Sequence, residues 1–302
     1  MDAAFSLPTE IPQRGCQKKW YGRCRVATRV LLFTTLISLS NLSQAGVPDE
    51  VEGACAGGDD AKTLEVLRAE AEHGDAEAQN SLGLKYYYGQ GVPQSFRESV
   101  AWYRRSAAQG NADAEHNLGL AYEDGTGVRR DYRESARWYR LAADQGNPSA
   151  LTNLAWYYWD GHGVRSDDVE AVRLTRLAAQ QGFAIAQSNL GLAYARGRGV
   201  KKDDVEAVRW YRLAAAQGYP LGQVNLGLAY STGAGVELDL VESWIWLERA
   251  ADEQGGMPDA RQYQAKIERL MTHQQIEEAR RRFSAQPAPR NKFRQCVRPG
   301  SL

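Results

Sequence analysis

The sequence predicts an all-α fold, a solenoid of stacked helix pairs rather than a closed globule. Three observations carry this. Gly74, Gly110, Gly146, Gly182 and Gly218 stand 36 residues apart, and a fixed period of roughly 20–50 residues marks a stack of small units. After these glycines apolar residues recur at helical spacing, as in Ala78, Leu82, Tyr86, then Ala114, Leu118, Tyr122, then Ala186, Leu190, Tyr194, one stripe of a helix surface. Each such segment stops at Gly-x-Gly-Val, and a second segment follows with its own helical stripe, Val100, Tyr103 and Ala107 in the first unit.

Residues 1–45 read as a secretory signal peptide. Arg14, Lys18, Lys19, Arg23, Arg25 and Arg29 precede the apolar run from Val30 to Leu42, and Ser43-Gln44-Ala45 offers small residues for cleavage before Gly46. The run falls short of the ~20 residues a membrane-spanning helix needs. A secreted or periplasmic location follows, with an uncleaved membrane anchor as the alternative. The long basic stretch also leaves open a translation start nearer Val26. Residues 46–60 form a linker.

The predicted solenoid occupies residues 61–283. Residues 61–73 form a lone N-terminal capping helix. The units cover 74–109, 110–145, 146–181, 182–217 and 218–255, and residues 256–283 form a more charged C-terminal cap. Within it Thr272 is placed to cap a last helix from Gln274 to Arg282. A polar terminal helix shields the last apolar face of a stack. Residues 284–302, basic, Pro-containing and without an acid, have the composition of a disordered tail.

Gly89, Gly125, Gly161, Gly197 and Gly233 suit left-handed C-terminal caps of the first helices. Mid-helix Gly83, Gly119, Gly191 and Gly227 cost about 1 kcal/mol each against Ala, so their common register predicts close approach of another backbone. The third unit has Ala155 there. Trp102, Trp138, Trp210 and Trp246 recur at one register, with Leu174 in the third unit, and are expected in the core. Asp167-Asp168 and Asp203-Asp204 open second helices, where acids favour the positive end of the dipole.

The pattern Ala-x₃-Leu-Gly-x₂-Tyr-x₂-Gly-x-Gly-Val, followed by Ala-Val-x-Trp-Tyr-x₂-Ala-Ala, resembles the Sel1-like repeat, a relative of the tetratricopeptide repeat. The resemblance covers residues 74–255. It implies a right-handed α/α superhelix with first helices lining the concave side, and a protein or peptide as the ligand. A cysteine-rich branch of that family is associated with penicillin-binding enzymes; this chain lacks its cysteine pair per repeat.

Composition narrows the function further. The 302 residues carry 37 basic and 37 acidic side chains; six of the former and two of the latter lie in residues 1–45, leaving 31 against 35. A mildly acidic body argues against nucleic acid as partner, and no membrane association is expected after signal cleavage. Cys16, Cys24, Cys55 and Cys296 lack metal-site spacing. Cys55 and Cys296 flank the repeats, either as a disulfide in an oxidising compartment or as two thiols. The Gly-x-Gly loops follow helices, not strands, so they are no nucleotide motif. Neither His-Glu-x-x-His nor Gly-x-Ser-x-Gly is present among the residues around His73, His116, His162 and His273. No catalytic residue, cofactor or metal is expected. The reading is an exported monomeric scaffold; an envelope hydrolase on the same repeats is the rival.

The candidate partner-binding residues lie on first helices, opposite Leu82, Leu118, Leu154, Leu190 and Leu226 at 100° per residue. They are Tyr87, Tyr88, Glu123, Asp124, Trp156, Trp159, Asp160 and Arg196. Aromatic anchors are enriched at hot spots, which singles out Trp156 and Trp159 in the third unit. The same cluster also reads as packing that compensates for Leu174. Asn117, Asn153, Asn189 and Asn225 form a ladder able to bond either an extended peptide or neighbouring helices.

Overall fold

The computed structural model describes residues 60–251 and 257–285. The segment read as a signal peptide, the expected linker to residue 59, all four cysteines, Gly255 and the tail expected beyond residue 285 lie outside them. Thirteen helices and no strand occur among the described residues. An N-terminal helix, α1 (Asp60–Glu72), precedes five pairs: α2 (Ala76–Tyr88) with α3 (Phe96–Ala107), α4 (Ala112–Asp124) with α5 (Tyr132–Asp144), α6 (Pro148–Asp160) with α7 (Asp168–Gln180), α8 (Ala184–Arg196) with α9 (Asp204–Ala216), and α10 (Pro220–Thr232) with α11 (Leu240–Ala250). The stack closes with α12 (Pro258–Glu268) and α13 (His273–Ala285). Every helix packs on its sequence neighbours up to α12, and α13 returns onto α11. This is an α-solenoid of five units with a helix at one end and a helix pair at the other.

Local chemistry sets each boundary. Ser95, Asp131, Asp167, Asp203 and Asp239 cap the second helices, each side chain accepting from backbone N–H groups of the first turn. The paired acids are therefore helix starts, with the first of each pair as the cap. Asp75, Asn111 and Asn147 cap first helices the same way. Thr272 opens α13 with reciprocal bonds: its Oγ1 accepts from Gln275 N at 3.2 Å, and its N donates to Gln275 Oε1 at 2.8 Å, a capping box.

The two loop glycines do different work. Gly125 ends α4 at φ 73° and its N–H bonds Ala121 O, a left-handed cap that Cβ would penalise. Gly127 lies against the preceding unit: a Cβ there would come within 2.2 Å of Phe96 O, at the start of α3. The same approach recurs at Gly163, Gly199 and Gly235. The two ends of a unit are also latched together by a glutamine. Gln109 Nε2 donates to Gly74 O at 2.8 Å, and Gln181 and Gln217 repeat the bond to Gly146 and Gly182.

The core differs from expectation at one register. Trp102 is buried, but Trp138, Trp210 and Trp246 are only half-buried. Their indoles lie under guanidiniums, Arg137 at 5.1 Å from Trp138 and Arg249 at 4.8 Å from Trp246. The deep slot belongs to the next residue: Tyr103, Tyr139, Thr175, Tyr211 and Leu247 are all buried. These side chains, rather than backbone alone, fill the space over the mid-helix glycines. A Cβ at Gly83 would meet Tyr103 at 2.6 Å, with Ser99 O next at 3.2 Å. The third unit changes both partners at once, to Ala155 and Thr175.

Candidate functional site

Successive first helices bring equal registers into line along the stack. Tyr88, Asp124, Asp160 and Arg196 form one such row, each the last helical residue before a capping glycine. Asp124, Asp160 and Arg196 are exposed and Tyr88 is half-buried. Tyr87, Glu123 and Trp159 form the neighbouring row. Tyr87 packs edge-on against Tyr88 at 5.0 Å and against Phe96 at 5.2 Å. Glu123 Oε2 accepts from the Tyr139 hydroxyl at 2.6 Å, which ties that carboxylate to the second helix of its own unit.

Trp159 corrects the sequence reading. Its side chain is 8% exposed and belongs to the largest apolar cluster, with Leu154, Tyr157, Leu174 and Val172. The next unit supplies its lid. Arg198 holds its guanidinium 5.9 Å from the Trp159 ring, donates to Trp159 O at 2.8 Å and pairs with Asp168 at 2.9 Å. A helical wheel drawn on one unit omits that lid, so the indole looked solvent-facing. The third unit is repacked: Thr175 and Leu174 replace larger rings, and Tyr157 and Trp159 are buried in the same cluster. Tyr157 stands edge-on to Tyr139 at 5.4 Å and its hydroxyl bonds Ser135 Oγ at 2.8 Å. Burial first, then nearby Glu123, pushes the Tyr157 hydroxyl far above its ordinary range.

Trp156 is different. It is half-buried, edge-on to Trp159 at 5.7 Å. It sits at the register of Leu84, Leu120, Leu192 and Leu228. Of these Leu120 is buried, and the other three are half-buried like Trp156. The result is a partly open apolar ridge across all five first helices. Sequence inspection missed this ridge as a row, although its 36-residue spacing was available. Two members of the asparagine ladder bond neighbouring helices: Asn117 Nδ2 donates to Asn80 Oδ1 at 2.9 Å, and Asn153 Nδ2 lies 3.1 Å from His116 Nε2; Asn189 and Asn225 are buried without a partner for Nδ2 among the described residues.

Among the described residues no three His, Cys, Asp or Glu side chains group to hold a metal ion. Among the described residues the one buried carboxylate with a raised pKa is Glu115. Burial raises it, the bond from Gln145 Nε2 at 2.7 Å counteracts, and Asp144 adds to the rise. Gln79, Gln187 and Gln223 occupy its register elsewhere, so the position is a packing slot common to the units. No described helix is long and apolar enough to cross a membrane.

A family model described as Sel1 repeat matches residues 76–111, 112–147, 148–183, 184–219 and 220–254, more than half of the chain. Among solved structures the chain is similar to a protective antigen present in uropathogenic Escherichia coli strains, which displays an SLR fold: 34% identity and a TM-score of 0.65 over 74% of this chain and 49% of that one. It is also similar to a Sel1 repeat protein from Oxalobacter formigenes, with 32% identity and a TM-score of 0.60 over 66% of this chain and 84% of that one. The chain thus spans about half the length of the E. coli protein. No curated protein matches it.

Proposed function

The chain belongs to the Sel1 repeat family, and from that premise we propose that it is an exported, non-enzymatic scaffold that holds a protein or peptide on its first helices. The observation that carries this is the ridge Leu84, Leu120, Trp156, Leu192 and Leu228. Four of its five members are partly open to solvent, Leu120 being buried, and Trp156 is its one aromatic member. Tyr88, Asp124, Asp160 and Arg196 flank it as a row of polar and charged side chains. An apolar line with a charged margin is the anatomy of a protein interface, and Sel1 repeat proteins generally bind proteins. Trp159 supports Trp156 from beneath and does not touch the partner. Export rests on the signal-like residues 1–45.

Two measurements test the reading. Affinity capture from the source cell envelope is run side by side with the wild-type repeats and with Trp156→Ala. A partner retained by the first and lost by the second supports the site; identical capture by both removes it. N-terminal sequencing of the native protein should begin at Gly46. An intact start in the soluble cytoplasm would refute export.

A further inference from the structure

A second row of side chains runs along the seam between units. Arg104 Nη2 donates to the Tyr122 hydroxyl at 3.0 Å, Arg140 to Tyr158 at 2.8 Å, Arg176 to Tyr194 at 3.1 Å, and Arg212 to Tyr230 at 3.3 Å. Each bond joins the second helix of one unit to the first helix of the next. Tyrosine orients the guanidinium but does not neutralise it. Among the described residues none of these four arginines has a carboxylate within ion-pair distance. Arg137, Arg173 and Arg209, one turn away, are paired with Glu134, Glu170 and Glu206.

One residue beyond the ladder stand Leu141, Leu177 and Leu213, exposed by 40%, 40% and 44%. They too recur at 36 residues, so the stack presents a repeating couple of an oriented, uncompensated cation and an exposed leucine. Aligned like charges repel each other, and exposed leucine forgoes burial. One occupant answers both: a chain with carboxylates beside apolar groups.

The spacing specifies that chain further. First helices of neighbouring units touch directly through Asn80 and Asn117, and helices in contact lie about 8–10 Å apart. A polyproline-II segment rises about 3.1 Å per residue with about three residues per turn. Every third side chain then falls on one face, about 9 Å apart along the segment. We propose that this seam docks an acidic, extended segment of a partner protein. Its carboxylates at every third residue bond Arg104, Arg140, Arg176 and Arg212, and the apolar residues between them cover Leu141, Leu177 and Leu213. The leucines favour a protein over a nucleic-acid backbone, as does the mildly acidic body of the chain. The surface is separate from the first-helix ridge and stands without it.

The test uses the full repeat protein and synthetic peptides of five Glu-Leu-Pro triplets, with Lys-Leu-Pro and Glu-Ser-Pro triplets as controls, in fluorescence anisotropy. The Glu-Leu-Pro peptide should bind, and both controls should bind at least about tenfold more weakly. Raising salt from about 50 to about 500 mM should weaken binding strongly. The triple variant Arg140→Gln, Arg176→Gln, Arg212→Gln should lose it, and the matching Arg→Lys variant should retain part of it. Arg140 and Arg212 are exposed and Arg176 is half-buried, and an unchanged helical circular dichroism spectrum certifies the fold. Trp156→Ala should leave peptide binding intact, which separates this seam from the ridge. No binding, binding indifferent to the arginines, tighter binding of single-stranded DNA of similar length, or a dimer dissolved by the arginine variant would each overturn the proposal.

Discussion

The ring of Tyr139 lies directly over Gly119. A Cβ added to that glycine would come within 2.4 Å of Tyr139 Cδ1. The same pair recurs as Gly83 with Tyr103 and Gly191 with Tyr211, and Gly227 faces Leu247. Where the ring shrinks to Thr175, the glycine has become Ala155. One small residue and one ring share a fixed volume between the two helices of a unit.

Gly119→Ala should therefore destabilise, although in a free helix the change favours helix by about 1 kcal/mol. Overpacking costs about 1–3 kcal/mol, and the ring, enclosed on all sides, has little room to yield. The melting point should fall in the wild-type background. In a Tyr139→Thr background the same substitution should become neutral or stabilising, reproducing the third unit. A double-mutant cycle of thermal melts reads the coupling; additive effects would mean the pair is not what holds the glycine.

Much of this fold was legible in the sequence because the repeat writes each contact five times. The capping glycines, the acids that open second helices and the terminal capping box all follow from local chemistry. Part of what stayed hidden lay between units. Gly127 answers to Phe96 of the preceding unit, and Trp159 is covered by Arg198 of the following one. The recurrent Trp looked like the core slot because it is the largest residue of its motif. Trp138, Trp210 and Trp246 nevertheless sit at the margin, and the following residue, Tyr139 in the second unit, takes the interior. For the candidate site, register was readable and depth was not: Asp124, Asp160 and Arg196 are exposed, whereas Trp159 is buried and Glu123 is bonded to Tyr139.

Trp159→Ala should behave as a core deletion, costing about 3–5 kcal/mol and lowering the melting midpoint markedly. Trp156→Ala, on the open ridge, should cost far less stability and weaken partner capture. A hot-spot loss of about 2 kcal/mol corresponds to roughly thirtyfold in affinity. Melts and one binding assay on the two variants decide the matter. If Trp156→Ala melted as low as Trp159→Ala, the ridge would be interior and the site assignment would fail.

Glu115 gives the fold a pH dependence with a definite sign. Its folded pKa lies above the unfolded value, chiefly through burial, so folding binds protons. This carboxyl favours the folded state most below its unfolded pKa, and that contribution is lost as pH rises through the folded pKa. Glu115→Gln keeps a carbonyl acceptor for Gln145, as Gln79 does for Gln109 at 2.9 Å. At neutral pH the variant should melt a few degrees higher, about 2–4 °C for a gain near 1 kcal/mol in a chain of this size. The gain should shrink as pH falls through the carboxylate range. A gain that grew on acidification would reverse the assignment.

Whole-unit deletion tests the solenoid itself. Among the described residues each unit packs chiefly on its neighbours, so stability is nearly a sum of unit and interface contributions. Removing residues 148–183 takes out α6 and α7 and brings α5 against α8. The new junction would retain its chemistry: Gln145 replaces Gln181 before a Gly turn, and Arg140 meets Tyr194 in place of Tyr158. It would also delete the repacked unit, so Tyr139 loses Tyr157 and regains the Ala193 that its sibling units place at that register. The shortened chain should stay helical and melt cooperatively, somewhat lower than the parent. Removing residues 148–165 alone deletes one first helix, leaves α7 without its partner and exposes Val172, Ala178 and Ala179. That chain should melt far lower or aggregate. Equal melting of the two deletions would mean that the 36-residue unit is not the unit of folding.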